Sequence, residues 1–154
     1  MTLRRPSAEE YAGWSAAVFD AYVDEIVASG SMSRAAAEEK GRRDDAELLP
    51  DGLATPGQLI FRVEVDGQPV GWLWLALRNP RAEDGVGIVY DVSIDEALRG
   101  RGYGRAAMRL AEEEARWNGL HALALNAFGQ NAIARALYSS LGYRETSVQM
   151  RKEL

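Results

Sequence analysis

The sequence predicts a mixed α/β (α+β) fold: a mostly antiparallel sheet containing one parallel βαβ unit, flanked by helices. Three observations carry this reading. The first 57 residues hold two helical patterns and little strand signal. Residues 59–77 then read as two strands around the turn dipeptide Asp66-Gly67. Finally, the apolar run 86–94 is followed by a glycine-rich loop, a helical pattern and a second apolar run. A helix that crosses between two strands of one sheet makes them parallel.

Taken in order, Leu3-Arg4-Arg5 reads as a short first strand. Ser7 followed three residues later by Glu10 is a capping box, and it opens a helix through about Ala28. Trp14, Val18, Tyr22 and Ile26 recur every four residues on one face of that helix. Gly30 ends it. Ser33 starts a second helix, Arg34 to about Leu48, whose charged residues mark it as a solvated helix. Pro50-Asp51-Gly52 and Thr55-Pro56-Gly57 bracket a loop.

The strands follow. Leu59 to Val65 and Val70 to Leu77 form the hairpin, with Trp72 and Trp74 on one face of the second strand and Leu73 and Leu75 on the other. Both faces are therefore expected to be covered. A turn over 79–85 leads to the strand Val86 to Ile94. Beyond the glycine loop, a helix is expected over Ala106 to Trp117, with Ala107, Leu110, Ala111 and Ala115 inward. Leu120 to Ala127 is the parallel strand. A helix after Asn131 turns Ile133, Ala136, Leu137 and Leu141 inward and ends at Gly142, and Thr146 to Met150 makes a last strand.

Composition narrows the function. A chain of 154 residues fits one domain, 1–154, and buries about 70% of its unfolded surface. It has no cysteine and a single histidine, His121, so thiolate and histidine metal sites are excluded and no metal is expected. No apolar stretch approaches the roughly 20 residues that span a bilayer, and the N-terminus lacks a signal-peptide core. The expectation is a cytoplasmic protein with no membrane partner. A net charge of −5 argues against a nucleic-acid partner.

The chemistry centres on Arg99-Gly100-Arg101-Gly102-Tyr103-Gly104-Arg105. Alternating glycines between a strand and a helix bare the backbone N–H groups, and the first N–H groups of a helix have no internal partners. With three arginines nearby, that end suits a pyrophosphate. Walker A needs Lys-Ser/Thr after its last glycine, where this chain has Arg105-Ala106. A dinucleotide fingerprint needs G-x-G-x-x-G and a downstream acid, and the next strand ends in Leu125-Asn126-Ala127. Both nucleotide readings weaken.

On these residues the chain resembles the GNAT superfamily of N-acetyltransferases. Arg99 to Gly104 matches its acetyl-CoA signature Q/R-x-x-G-x-G/A, Tyr90-Asp91-Val92-Ser93-Ile94 fits the strand before it, and Asn131 to Tyr143 is close to N-x-x-A-x-x-L-Y-x-x-x-G-F/Y. The match spans about 58–152, the sheet and acetyl-CoA core. Residues 7–57 fit as a helical acceptor-side region.

The resemblance implies a sheet that splays open at the strand preceding the loop, where unpaired backbone groups hold the pantetheine arm. By position these belong to Val92, Ser93 and Ile94, with the Val92 N–H near the acetyl oxygen. It also implies acetyl-CoA contacts from Arg99, Gly100, Arg101, Gly102, Tyr103, Gly104, Arg105, Asn126, Asn131, Ala134 and Tyr138. Tyr138, seven residues beyond Asn131 and on its face of the helix, would protonate the CoA thiolate. Asn131 also reads simply as a helix N-cap.

Some members carry a glutamate base on the strand before the loop, but Gly87-Ile88-Val89-Tyr90 offers none. Asp91 is the candidate base, and alternation sets it opposite Ile88 and Tyr90. Trp14, Tyr22, Leu53 and Tyr90 are the acceptor-side candidates; the two on the helix also read as core. The acceptor is expected to be a small-molecule or peptide amine. Many relatives dimerise, which leaves a homodimer open. A non-catalytic acyl-CoA-binding or sensing module stands as the alternative to an enzyme.

Overall fold

The structure, a computed structural model, describes every residue except Arg81 and Glu153, so the turn expected over 79–85 lies partly outside the described residues. One five-stranded sheet has the order β1 (Thr2–Arg4), β2 (Gln58–Val65), β3 (Gln68–Ala76), β4 (Val86–Ile94), β5 (Ala122–Leu125). Strands β1 to β4 pair antiparallel in succession, and β5 is parallel to β4. Helix α1 spans Ala8–Ala28, α2 Arg34–Leu48, α3 Tyr103–Trp117 and α4 Ala132–Ser140. The expected mixed sheet and its parallel crossover are present.

Each face of the sheet has its own core. Phe61, Val63, Leu73, Leu75 and Val89 pack with Ala107, Met108, Ala111 and Ala115 of α3. On the opposite face Ile60 and Trp74 pack with Trp14 of α1 and Leu49 just past α2. The alternation in β3 explains the split: Leu73 and Leu75 point to α3, Trp72 and Trp74 to α1. Helix α1 begins with the capping box, Ser7 Oγ accepting from the Glu10 N–H and Glu10 Oε2 from the Ser7 N–H. Arg4 donates to Glu10 and Glu64, which ties β1, β2 and the start of α1 together.

Several boundaries differ from expectation. Helix α3 begins at Tyr103 rather than Ala106, because Gly102, with φ 81°, serves as its N-cap. Met108 is buried where Leu110 was expected, and Leu110 is only half-buried. Strand β5 is four residues long, shorter than Leu120 to Ala127. On α4, Ile133 is 88% exposed and Ala136 is exposed, while Leu137, Tyr138 and Leu141 face inward. Thr146 to Met150 forms no strand, and Val148 and Met150 are exposed. A β-rich segment needs a partner edge to become a strand, and residues 146–150 pair with none.

Candidate active site

The site forms where the β4–β5 ladder stops. Parallel pairing runs from Val86↔Ala122 to Val89↔Leu125 and goes no further. Strand β4 continues to Ile94 with a strand only on its β3 side, where pairing runs to Gly71↔Ile94. The sheet therefore opens beside 91–94 and presents main chain rather than another strand. Asn126, just past β5, lies at the far side of this opening and is exposed.

A β-bulge shapes the near side. Trp74 pairs with Asp91 but Leu75 pairs with Val89, so Tyr90 is one residue extra. The pleat on the two sides of that residue is out of step. Val89 and Val92 pack toward α3, whereas the Tyr90 ring lies tilted against Trp74 on the α1 face, with centroids 4.7 Å apart. Asp91 also turns toward α1, where its Oδ2 accepts from Trp14 Nε1 at 3.2 Å and from Ser93 Oγ at 3.1 Å. Tyr90 and Asp91 thus share a face, contrary to the alternation expected from sequence.

The Asp91 carboxyl group is enclosed, although the residue keeps some contact with solvent. Burial pushes it above the usual carboxylate range, and the hydrogen bonds from Trp14 and Ser93 oppose that shift. Tyr138, half-buried on α4, is pushed above its ordinary range by burial and then by the Asp91 carboxylate. The Tyr138 ring packs edge-on against Tyr143, with centroids 6.0 Å apart.

The glycine loop closes one end. Gly100 and Gly102 have φ of 77° and 81°, and a Cβ on either would meet no heavy atom within 4 Å. The loop surface is thus left clear in front of the α3 N-terminus, whose leading N–H groups and dipole suit an anion. Arg99 Nε donates to the Ile94 carbonyl at 3.0 Å, so that arginine braces the end of β4. Arg105 donates to Ser140 Oγ at 2.8 Å and links the first turn of α3 to the last of α4. Arg101 is exposed. Gly104 lies within the first turn of α3 and would, with a Cβ, touch Leu137 at 3.5 Å. Asn131 is the α4 N-cap, its Oδ1 accepting from the Ala134 N–H at 3.1 Å.

Three of the acceptor-side candidates gather here. Trp14, Leu53 and Tyr90 belong to one cluster with Trp72 and Trp74. Tyr22 does not: it is two turns, about 12 Å, further along α1, where its hydroxyl donates to Asp44 and accepts from Lys40. It latches α1 to α2. The Trp14–Asp91 hydrogen bond was not legible, because no spacing rule connects residues 77 apart.

The model of the Acetyltransferase (GNAT) family matches residues 16–143. The chain is 31% identical over 147 residues to an uncharacterized N-acetyltransferase of Bacillus subtilis (strain 168), YycN, covering 95% of this chain and 94% of that one. The crystal structure of YycN matches with a TM-score of 0.91 at 30% identity, over 99% of this chain and 98% of the other. An aminoglycoside antibiotic 6'-N-acetyltransferase from Acinetobacter haemolyticus, AAC(6')-IG, shares the fold with a TM-score of 0.58 at 22% identity, over 100% and 99% of the two chains.

Proposed function

Since the chain belongs to the GNAT acetyltransferase family, we propose that it moves an acetyl group from acetyl-CoA to a primary amine on a small molecule or peptide. The whole chain, 1–154, serves as one N-acetyltransferase domain. The observation that carries the reading is the opening of the sheet beside 91–94, next to the bared glycine loop at the α3 N-terminus. Burial raises the pKa of both the Asp91 carboxyl and the Tyr138 phenol, which suits a base and an acid.

The residues present fit acetyl-CoA. The bared loop at Gly100 and Gly102 and the α3 N-terminus suit its pyrophosphate, with Arg101, Tyr103, Gly104 and Arg105 around them. Arg99 acts indirectly, by fixing the end of β4. The main chain of Val92, Ser93 and Ile94 borders the opening and suits the amides of the pantetheine arm, with Asn126, Asn131 and Ala134 as the further contacts assigned to acetyl-CoA. When bound, acetyl-CoA supplies the thioester whose C–S bond breaks as the C–N bond forms. The Val92 N–H is the donor assigned to the acetyl oxygen.

The chain's own chemistry is two proton movements. Asp91, ionised, takes one proton from the attacking nitrogen, directly or through a water. Tyr138 gives its phenolic proton to the leaving sulfur. Solvent then reprotonates Tyr138 and removes the proton from Asp91, so charge and protons balance over a turnover. Leu53 and Tyr90 border the acceptor side, and Trp14 is buried in the same cluster. No step asks for a metal.

The test is CoA release from acetyl-CoA against a panel of primary amines, with calorimetric titration of acetyl-CoA alongside. Turnover with one class of amine is expected to fall about 10²-fold or more in Tyr138→Phe, with acetyl-CoA affinity retained. Acetyl-CoA binding without release from any amine would favour the non-catalytic module. No binding would overturn the reading altogether.

A further inference from the structure

Resting on the assignment of Asp91 as base, we propose that Trp14 is a positioning residue. It holds the Asp91 carboxylate in its reactive orientation and keeps it sufficiently acidic to be ionised, without touching the acceptor itself.

The geometry behind this is specific. Trp14 is 4% exposed and immobilised on three sides: Trp72 stacks on it at 5.4 Å, Trp74 meets it edge-on at 5.7 Å and Tyr11 lies at 5.8 Å. A ring so held cannot rotate its N–H away. That N–H points at Asp91 Oδ2. Ser93 Oγ donates to the same oxygen. Both donors therefore converge on one oxygen of the carboxylate and fix its orientation.

Both donors stabilise the charged form, because they are hydrogen bonds to a carboxylate. Burial acts the other way and is the stronger influence. The groups facing Asp91 add little charge of their own. Trp14 comes from α1 and Trp74 is its β3 partner, both uncharged, while Tyr90 and Ser93 flank it on β4. Tyr138 on α4 is a titratable group close enough for the Asp91 carboxylate to raise its pKa. Remove the indole donor and burial prevails further, so the Asp91 pKa must rise.

Trp14→Phe deletes the donor while keeping an aromatic ring against Trp72 and Trp74. Carbon-13 NMR titration of the Asp91 carboxyl is expected to show its pKa higher by about one unit. The acid limb of kcat/KM for CoA release should move up by the same amount. Rate would drop about tenfold below the limb and recover at higher pH, with KM for acetyl-CoA unchanged. In the unaltered protein the Trp14 indole N–H resonance should shift as Asp91 titrates and stop shifting in Asp91→Asn; this readout needs no altered tryptophan.

An Asp91 titration unchanged in Trp14→Phe, or an indole resonance that ignores pH, overturns the proposal. A rate loss equal at all pH values would make Trp14 a packing residue only and also overturns it. Full turnover with an intact acid limb in Asp91→Asn would instead sink the base assignment, and the present inference with it.

Discussion

Tyr90 and Asp91, consecutive on β4, project to the same face of the sheet. A single extra residue opposite Trp74 and Leu75 does this, and it brings a carboxyl group to Trp14 that an unbroken strand would bury against α3. The bulge lies one residue beyond the last β4–β5 pair, Val89↔Leu125. Opening of the sheet and re-aiming of the acid therefore occur at the same place.

The pH dependence of turnover should be broad and coupled. The proposed mechanism requires Asp91 ionised and Tyr138 protonated. The acid limb should then fall above the usual carboxylate range and the basic limb above an ordinary tyrosine, since both pKa values are raised. Asp91→Asn should abolish the acid limb and also lower the basic one, because the Asp91 carboxylate helps hold Tyr138 up. A pH–rate profile of CoA release reads both.

The same substitution should stabilise the fold. A carboxyl whose folded pKa is raised costs stability when ionised. The cost is absent below the unfolded pKa, grows as pH climbs to the folded pKa and is complete above it. Asp91→Asn should therefore raise Tm at pH 7, by about 2–4 °C for each kcal/mol relieved. The advantage should vanish on acidification. Calorimetric scans at several pH values measure it.

Two glycines make opposite predictions. A Cβ on Gly71 would lie 2.1 Å from the Ser93 carbonyl oxygen, where β3 and β4 are in contact and neither backbone can yield cheaply. Gly71→Ala should cost about 3 kcal/mol or more in urea unfolding. Gly13 is exposed within α1 and a Cβ there meets nothing within 4 Å. Gly13→Ala should add about 0.5–1 kcal/mol.

Gly102→Ala separates binding from folding. Its left-handed conformation is the N-cap of α3, and an alanine there costs only about 1 kcal/mol of backbone strain since the space is open. That strain, and the methyl group itself, fall on the surface proposed for the pyrophosphate. Acetyl-CoA affinity should drop about tenfold or more, while Gly129→Ala, unstrained and in open space, leaves it unchanged. Isothermal titration with acetyl-CoA distinguishes the two.

Much of the architecture was legible because it rests on local rules. The Ser7–Glu10 capping box, the Asp66-Gly67 turn and the split faces of Trp72-Leu73-Trp74-Leu75 all appear as expected. What failed were features set by distant partners. Ile133 looks as apolar as Leu137, but nine-residue α4 docks through Leu137, Tyr138 and Leu141 and leaves Ile133 outside. The segment 146–150 has strand composition but pairs with no edge of the sheet. A strict alternation rule cannot foresee an inserted residue, so it sets Asp91 on the face opposite Tyr90 where the structure has both on one face.

The opening beside 91–94 has one more consequence. What it offers a ligand is the peptide backbone, which is the same whichever side chain is attached. Exchanging Val92 for isoleucine, or Ile94 for valine, would leave that surface chemically unaltered. Recognition of this kind is silent in a substitution scan and leaves little trace in residue identity. Related proteins can therefore diverge along this strand and still grip the same molecule.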